Sequence, residues 1–181
     1  MKSVMRKFLE INFKLSRNFD LLLSEEYRTD GNLFFIEKFA PAFLHSDLIV
    51  YDIGGGKNPY ISQEVKSRLH LRVTGLDVDQ EELARAPVGA YDSVVCADIT
   101  TYKGEGEADL VICQALLEHV KSVDKAIASI ASILKPGGIA LIFVPSRNAL
   151  FARLNILLPE KVKKILLYSI YPKARASQGF P

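Results

Sequence analysis

The run Leu48-Ile49-Val50-Tyr51 passes directly into Asp52-Ile53-Gly54-Gly55-Gly56-Lys57. A short apolar strand that breaks into consecutive glycines is how an α/β sheet opens a ligand site. Glycine lets the backbone approach a ligand closely and accepts φ values that other residues avoid. Amides exposed there and at the start of the following helix can bind a nucleotide-like ligand or a carboxylate. The residues around the glycines decide which.

Periodicity supplies the frame. Val4, Phe8, Ile11, Leu15, Phe19 and Leu22 recur at three- and four-residue steps, one face of an amphipathic helix. Thr29-Asp30-Gly31 is a turn signal, and Asn32 is the expected cap of a second helix over 33–44. Strands and helices then alternate. Strands are expected over 48–51, 71–78, 93–97, 108–113 and 139–144. Helices are expected over 59–69, with Pro59 in the first turn, over 79–85, capped by Asp79, and over 122–134, capped by Ser122 and stopped by Pro136-Gly137-Gly138. This is an α/β chain with a doubly wound, mostly parallel sheet. The continuous apolar character of 110–113 and 139–144 suits strands covered on both faces. After Pro145 the alternation stops: 147–158 and 160–171 read as two apolar-rich, basic helices. Nothing follows that would close the far edge of the sheet, so the C-terminal strands of such a fold are expected to be lacking. The expected organisation is an N-terminal helical cap (1–46), an α/β core that binds the ligand (47–146) and a basic amphipathic segment (147–181), within one domain overall.

Composition narrows the classes. A chain of 181 residues with 49% hydrophobic and 24% charged residues can bury a real core. The net charge of +2 makes no case for nucleic acid. Residues 147–175 nevertheless hold seven basic residues against one acid, Glu160. Cys96 and Cys113 sit in apolar runs and read as reduced, buried thiols, and no cysteine–histidine cluster suggests a metal. Residues 1–16 carry charges throughout and do not resemble a signal peptide, and no apolar run nears the ~18 residues of a membrane span, so a cytoplasmic location is expected.

Ligands of an open α/β sheet bind outside the carboxyl ends of its strands. Those ends offer Asp52, Asp77, Asp98 and Gln114, the last followed by Leu117-Glu118-His119. A carboxylate after the second strand can accept from both hydroxyls of a ribose, and one after the third can accept from an adenine amino group. The glycines do not form a dinucleotide fingerprint: Pro59 stands where G-x-G-x-x-G needs its last glycine. Asp52 would sit badly beside a pyrophosphate and suits a positively charged amino group instead.

Asp52-Ile53-Gly54-Gly55-Gly56, Gly75-Leu76-Asp77-Val78-Asp79, Ala97-Asp98-Ile99, the run from Asp109 to Cys113 leading to Leu117-Glu118-His119-Val120, and Leu134-Lys135-Pro136-Gly137-Gly138 occur in this order. Together they resemble the class I S-adenosylmethionine-dependent methyltransferases, and are most similar to the small-molecule branch that includes the ubiquinone and menaquinone enzymes. The resemblance spans roughly residues 49–145. It implies a Rossmann-like methyltransferase fold and S-adenosylmethionine as cofactor, with S-adenosylhomocysteine as product. It places Asp52, Gly54 and Gly56 at the methionine end, Asp77 at the ribose, Asp98 and Ile99 around the adenine, and Gln114 near the methionine part or the methyl group. Gly55 and Val78 complete the cofactor-binding set. Two features depart from the family: Asn58 replaces a third alternate glycine, and the family's last strands are expected to be lacking.

The activity implied is methyl transfer to a small, lipophilic acceptor by in-line displacement at the sulfonium methyl. The nucleophile must be held in line with that methyl. His119 is the candidate general base for a hydroxyl acceptor, against a structural role beside Glu118. His45 and His70 lie on the opposite rim. Asp79 reads as a helix cap, Asp109 as structural, Lys57 as solvated, and Tyr51 and Tyr91 as packing residues. The basic amphipathic stretch can lid the site or make peripheral contact with an anionic membrane surface, and the two roles are compatible. A cofactor-binding protein without catalysis and a nucleotide-dependent oxidoreductase remain as alternatives. The acceptor atom and the oligomeric state are left open.

Overall fold

The computed structural model describes residues 30–145 continuously, together with residues 7, 10, 11, 14, 18, 21, 22 and 159. The expected first helix in larger part, and the basic stretch 147–175 almost wholly, thus lie outside the described residues. Of the former, Lys7, Glu10, Ile11, Lys14 and Asn18 are helical, and Ile11 is exposed. Residues up to Phe143 form one compact unit.

Strands β1 (Ile49–Ile53), β2 (Arg72–Asp77), β3 (Ser93–Cys96), β4 (Ala108–Gln114) and β5 (Leu134–Phe143) make one parallel sheet in the order β3-β2-β1-β4-β5. The chain winds outward from β1 to β3, then returns to β1's other side with β4. That reversal is where open α/β sheets leave a crevice at the strand ends. β1 lies at the centre, pairing Val50 with Val73 on one side and Leu110 on the other.

Alternate residues of the central strands feed two cores. Val50, Val73, Leu110 and Ile112 face one with Phe35, Ala40 and Ile61, while Tyr51, Ile53, Val111 and Cys113 face the other with Ala126, Ile130 and Ile133. This two-sided burial explains the unbroken apolar run of β4. It does not extend to β5, the edge of the sheet among the described residues, where Ile139 and Ile142 are 45% and 36% exposed. The expectation that 139–144 is covered on both faces is corrected accordingly. Cys96 is also corrected. It is exposed, because β3 is the opposite edge strand, whereas Cys113 is buried and its thiol is pushed up to about 12 by that burial.

The helices depart from expectation mainly at their ends. The segment expected over 33–44 begins as helix α1 (Gly31–Phe34), widens to a π turn over Phe35–Phe39 and tightens to a 3-10 turn over Ala40–Phe43. Pro41 supplies no amide for a regular helical bond, and the pitch changes around it. Its cap is Asp30, not Asn32: Asp30 Oδ1 accepts from the amides of Asn32 (2.8 Å) and Leu33 (3.2 Å). Helix α2 (Gln63–Arg68) starts after Ser62, whose hydroxyl accepts from the Val65 amide, so Pro59 lies in the loop before it. Helix α3 (Gln80–Ala84) is capped by Asp79 as expected. Helix α4 (Val123–Ile133) follows Ser122, whose side chain makes no capping bond.

The segment Pro136-Gly137-Gly138 does not separate α4 from the last strand; it lies inside β5. The pairing jumps from Ala108–Leu134 to Leu110–Ile139, so the extra residues bulge from the ladder, and Gly137 takes φ +84° there. Asp109 holds the opposite rim, accepting from the Ile49 amide (2.9 Å) and pairing with Lys135. These contacts keep its carboxyl below the usual carboxylate range and bear out its structural reading.

Ile112 is fully buried in the core between the sheet and the α1 segment. Ile112→Ala is expected to lower stability by about 2–5 kcal/mol, read as a drop in the urea unfolding midpoint.

Candidate functional site

The last residues of β1 build the site. Asp52 is 3% exposed, although it is a carboxylate at the carboxyl end of the central strand. A buried carboxylate needs donors. Its Oδ2 accepts from the Tyr60 amide (2.7 Å) and from the Tyr91 hydroxyl (3.3 Å). Burial pushes the Asp52 carboxyl up to about 6, and the Asp77 charge adds to this, while the bonds from Tyr60 and Tyr91 oppose it. The aromatic hydroxyls respond in kind: burial and the Asp52 charge raise Tyr91, and raise Tyr60 to about 12.

The glycine loop turns immediately after β1. Gly54 takes φ +79° and its amide donates to the Leu76 carbonyl (2.8 Å). A Cβ at Gly54 would lie 3.1 Å from the Leu116 side chain. At Gly55 it would lie 2.6 Å from Asp52 Oδ2 and 2.7 Å from the Tyr91 hydroxyl, so only glycine fits without displacing one of them. Gly56 takes φ +48°, and the Asn58 amide donates to the Gly55 carbonyl (2.8 Å) to close the turn that stands in for the third alternate glycine.

Two cavities adjoin at Ile53 and Gly54. The larger, about 340 Å³, is lined by Leu76, Asp77, Val78, Asp98, Ile99, Leu116 and His119 among others. The smaller, about 190 Å³, is lined by Asp52, Gly55, Asn58, Tyr60 and Gln114. The structure thus brings Asp77, Val78, Asp98 and Ile99 to one compartment, and Asp52, Gly55 and Gln114 to the other, with Gly54 between. Gly56 lines neither; it is buried, and a Cβ there would come within 3.2 Å of Asp77 Oδ2 and of the Glu82 side chain. Asp77 Oδ1 accepts from the Asp79 amide (3.0 Å). Asp98 Oδ1 accepts from the amide and hydroxyl of Thr100 (both 2.8 Å), which hold its carboxyl below the usual range. Val78 is 71% exposed at the cavity mouth.

His119 ends a 3-10 turn, Leu117–His119, and reaches the larger cavity. Its side chain is largely exposed, with Nε2 3.9 Å from the Glu118 carboxylate. Lys57 is ion-paired to Glu82 (2.9 Å) rather than simply solvated. His45 and His70 precede β1 and β2 on the opposite rim.

Two neighbours of Asp52 escape sequence reading. Tyr91 appears there as a packing residue, but its hydroxyl also donates to the Gly56 carbonyl (3.1 Å), so it belongs to the site. Tyr60 bonds Asp52 through its backbone, a contact with no side-chain signature, and its hydroxyl donates to the Ile36 carbonyl (3.1 Å) in the α1 segment. Gln114, at the end of β4, donates from Nε2 to Asn32 Oδ1 (2.7 Å), which also explains why Asn32 does not cap its helix.

A profile of the family described as "Methyltransferase domain" matches residues 51–142, about half of the chain and nearly all of the sheet. The chain belongs to this methyltransferase domain family. Its relatives include the ubiquinone biosynthesis O-methyltransferases of Thiobacillus denitrificans (30% identical over 124 residues, 65% of this chain and 53% of that protein) and of Burkholderia thailandensis (30% over 133 residues, 70% and 56%). The chain therefore spans about half the length of the curated relatives it matches. Among solved structures, phosphoethanolamine N-methyltransferase 2 of Haemonchus contortus, in complex with phosphomonomethylethanolamine and S-adenosylhomocysteine, is 28% identical with TM-score 0.50, covering 61% of this chain and 27% of that one. A putative sarcosine dimethylglycine methyltransferase from Galdieria sulphuraria shares the fold at 17% identity and TM-score 0.56, covering 69% and 54%.

The buried carboxylate has a measurable consequence in the free protein. Asp52 titrates higher folded than unfolded, so the protonated form is favoured in the fold. Its contribution is complete below the unfolded value near 4 and is lost as pH rises through about 6. Relative to Asp52→Asn, the wild type is expected to lose on the order of 3 kcal/mol between pH 4 and pH 7. Paired urea unfolding curves of the two proteins at each pH check this; a constant difference between them would remove the buried-carboxylate reading.

Proposed function

We propose that this chain binds S-adenosylmethionine in the two adjoining cavities and uses it to methylate a small acceptor. One observation carries the reading: carboxylates follow three successive strand ends, and the first of them, Asp52, is buried behind a loop of bare glycines. The site fits the group. The acidic rim suits a ligand that carries a sulfonium and an ammonium. In this reading Asp52 and Gly54 hold the methionine end, Gly56 shapes the turn behind them, Gly55 leaves Asp52 room, and Gln114 stands near the reacting methyl. Asp77 and Val78 take the ribose, and Asp98 and Ile99 the adenine. Membership of the methyltransferase domain family and the S-adenosylhomocysteine complex of the Haemonchus contortus relative support the same cofactor.

When bound, the cofactor supplies an electrophilic methyl on a positively charged sulfur, so the hard chemistry is its own. The chain's residues bind, orient and exclude water. A nucleophile held in line forms the new bond to the methyl carbon as the carbon–sulfur bond breaks, and the electron pair stays on sulfur. With a hydroxyl acceptor the proton must leave, and His119, on the wall of the larger cavity, is the candidate base for it. The names of the ubiquinone biosynthesis relatives support an oxygen acceptor with lipophilic character. The same names favour catalysis over cofactor binding alone. Among the described residues no helix is long and apolar enough to cross a membrane. Peripheral membrane contact through residues 147–175 rests on their sequence.

Isothermal titration with S-adenosylmethionine and S-adenosylhomocysteine, with NADH as control, tests the reading. Micromolar binding of the first two and none of NADH is expected. Asp77→Ala should weaken binding by about 1–3 kcal/mol through loss of charge-assisted hydrogen bonds. Unchanged affinity in that variant would remove Asp77 from the ribose.

A further inference from the structure

Tyr91 sits on the loop between α3 and β3, outside every motif that carries the family resemblance, yet it touches more of the glycine site than any of those motifs explains. Its hydroxyl lies within hydrogen-bond distance of both Asp52 Oδ2 (3.3 Å) and the Gly56 carbonyl (3.1 Å) and shares its one proton between them, tying the buried carboxylate to the turn that follows it. Its ring lies where β2 has no side chain: a Cβ at Gly75 would stand 2.7 Å from the ring. The loop that carries it is pinned on the far side. Asp92 Oδ2 accepts from the Val73 amide (2.7 Å), the Asp92 amide donates to the Val73 carbonyl (2.8 Å), and Lys66 bridges Asp92 Oδ1 (2.7 Å) and the Gly89 carbonyl (2.8 Å). The ring is therefore held across β2 with little freedom to withdraw.

The geometry points to Tyr91 as a positioning residue for the cofactor site: it fixes the Asp52 carboxylate and the Gly56 turn in one arrangement, and Gly55 and Gly75 are glycines in order to admit it. Two of the glycines in the site's motifs thus make room for a tyrosine, and one of them, Gly55, for the Asp52 carboxylate as well. The role follows from where the bonds go. Without the hydroxyl, Asp52 keeps one named donor, the Tyr60 amide, and the Gly56 carbonyl loses a partner at a residue with φ +48°. The charged and titratable groups around Asp52 are Asp77 from β2, Tyr60 from the loop after β1, Cys113 from β4 and Tyr91 itself. Both tyrosines and the thiol stay neutral below pH 9, because burial raises all three. Asp77 is the one charge in that set that can alter the Asp52 titration from outside.

Tyr91→Phe tests this, since it removes the hydroxyl and leaves the ring over Gly75. The binding half of the test rests on the proposed cofactor. The other half does not: the Asp52 carboxyl carbon can be followed by NMR through a pH titration of the full chain without ligand. The expected result is an Asp52 midpoint above that of the wild type. Affinity for S-adenosylmethionine at pH 7.5 should fall about tenfold, the size of one hydrogen bond to a charged group. At the same pH the thermal midpoint should fall by a few degrees, because a higher Asp52 midpoint lowers stability above it. Gly75→Ala, which displaces the ring and keeps the hydroxyl, should move the Asp52 midpoint in the same direction. An unchanged Asp52 midpoint and unchanged affinity in Tyr91→Phe would overturn the positioning role and return Tyr91 to packing alone. A wild-type chain that does not bind S-adenosylmethionine, but whose Asp52 midpoint rises in Tyr91→Phe, would overturn the proposed cofactor and keep the positioning role.

Discussion

A carboxylate buried at the end of the central strand sets conditions on most of its surroundings. Asp52 lies where β1 leaves the sheet, flanked by β2 and β4, and solvent does not reach it well enough to hydrate the charge. The structure answers with donors brought from two directions. The chain after the glycines turns back so that the Tyr60 amide points at Oδ2, and the loop before β3 reaches across β2 to deliver the Tyr91 hydroxyl. A side chain at Gly55 would collide with the Asp52 carboxylate and the Tyr91 hydroxyl, and the second approach also needs a bare position at Gly75. The glycine pattern that first suggests a ligand site is thus in part a demand of the protein's own packing.

From that point the N-terminal side of the fold is assembled around the same loop. Tyr60 hands its hydroxyl to the Ile36 carbonyl and packs its ring edge-on to Phe35, with centroids 5.9 Å apart. Phe35 also meets Phe143 at the end of β5 (5.5 Å), and Asn32 meets Gln114 at the end of β4. The α1 segment is therefore fastened to the ends of β4 and β5 and to the loop after β1, through aromatic contacts, the Tyr60 hydroxyl and one amide pair. It forms part of the rim on which the site stands.

The sheet was legible because its central strands are buried on both faces and so read as unbroken apolar runs. Their order along the chain, and the acids at their ends, follow from the same pattern. Strand limits differ by one or two residues from the sequence pattern, except in β5, where Leu134 to Gly138 have the pattern of a helix end and a stop but belong to a bulged strand. A Pro-Gly-Gly triplet is a turn signal by composition; only the pairing of Leu134 with Ala108 ahead of it places it in the bulge of a strand. Asn32 has the position of a cap because it precedes the apolar run, yet Asp30 holds the amides and Asn32 is drawn to Gln114, 82 positions away. Tyr60 and Tyr91 carry no sequence signature of a site residue for a related reason. One acts through its backbone, and the other bonds a residue 39 positions distant. Local pattern carries no information of either kind. Cys96 was misplaced because edge strands share the composition of central ones.

Gly75 and Tyr91 lie on different elements and belong to different parts of the sequence, but sterically they are one object, a ring and the space cut for it. Inherited change at either position is then conditional on the other. Alanine at 75 is accessible only after the ring at 91 has shrunk, and a smaller residue at 91 leaves a void that a side chain at 75 can fill. In an alignment of this chain's descendants the two columns should exchange bulk between them, at roughly constant total volume, while Asp52 remains the fixed point that both serve.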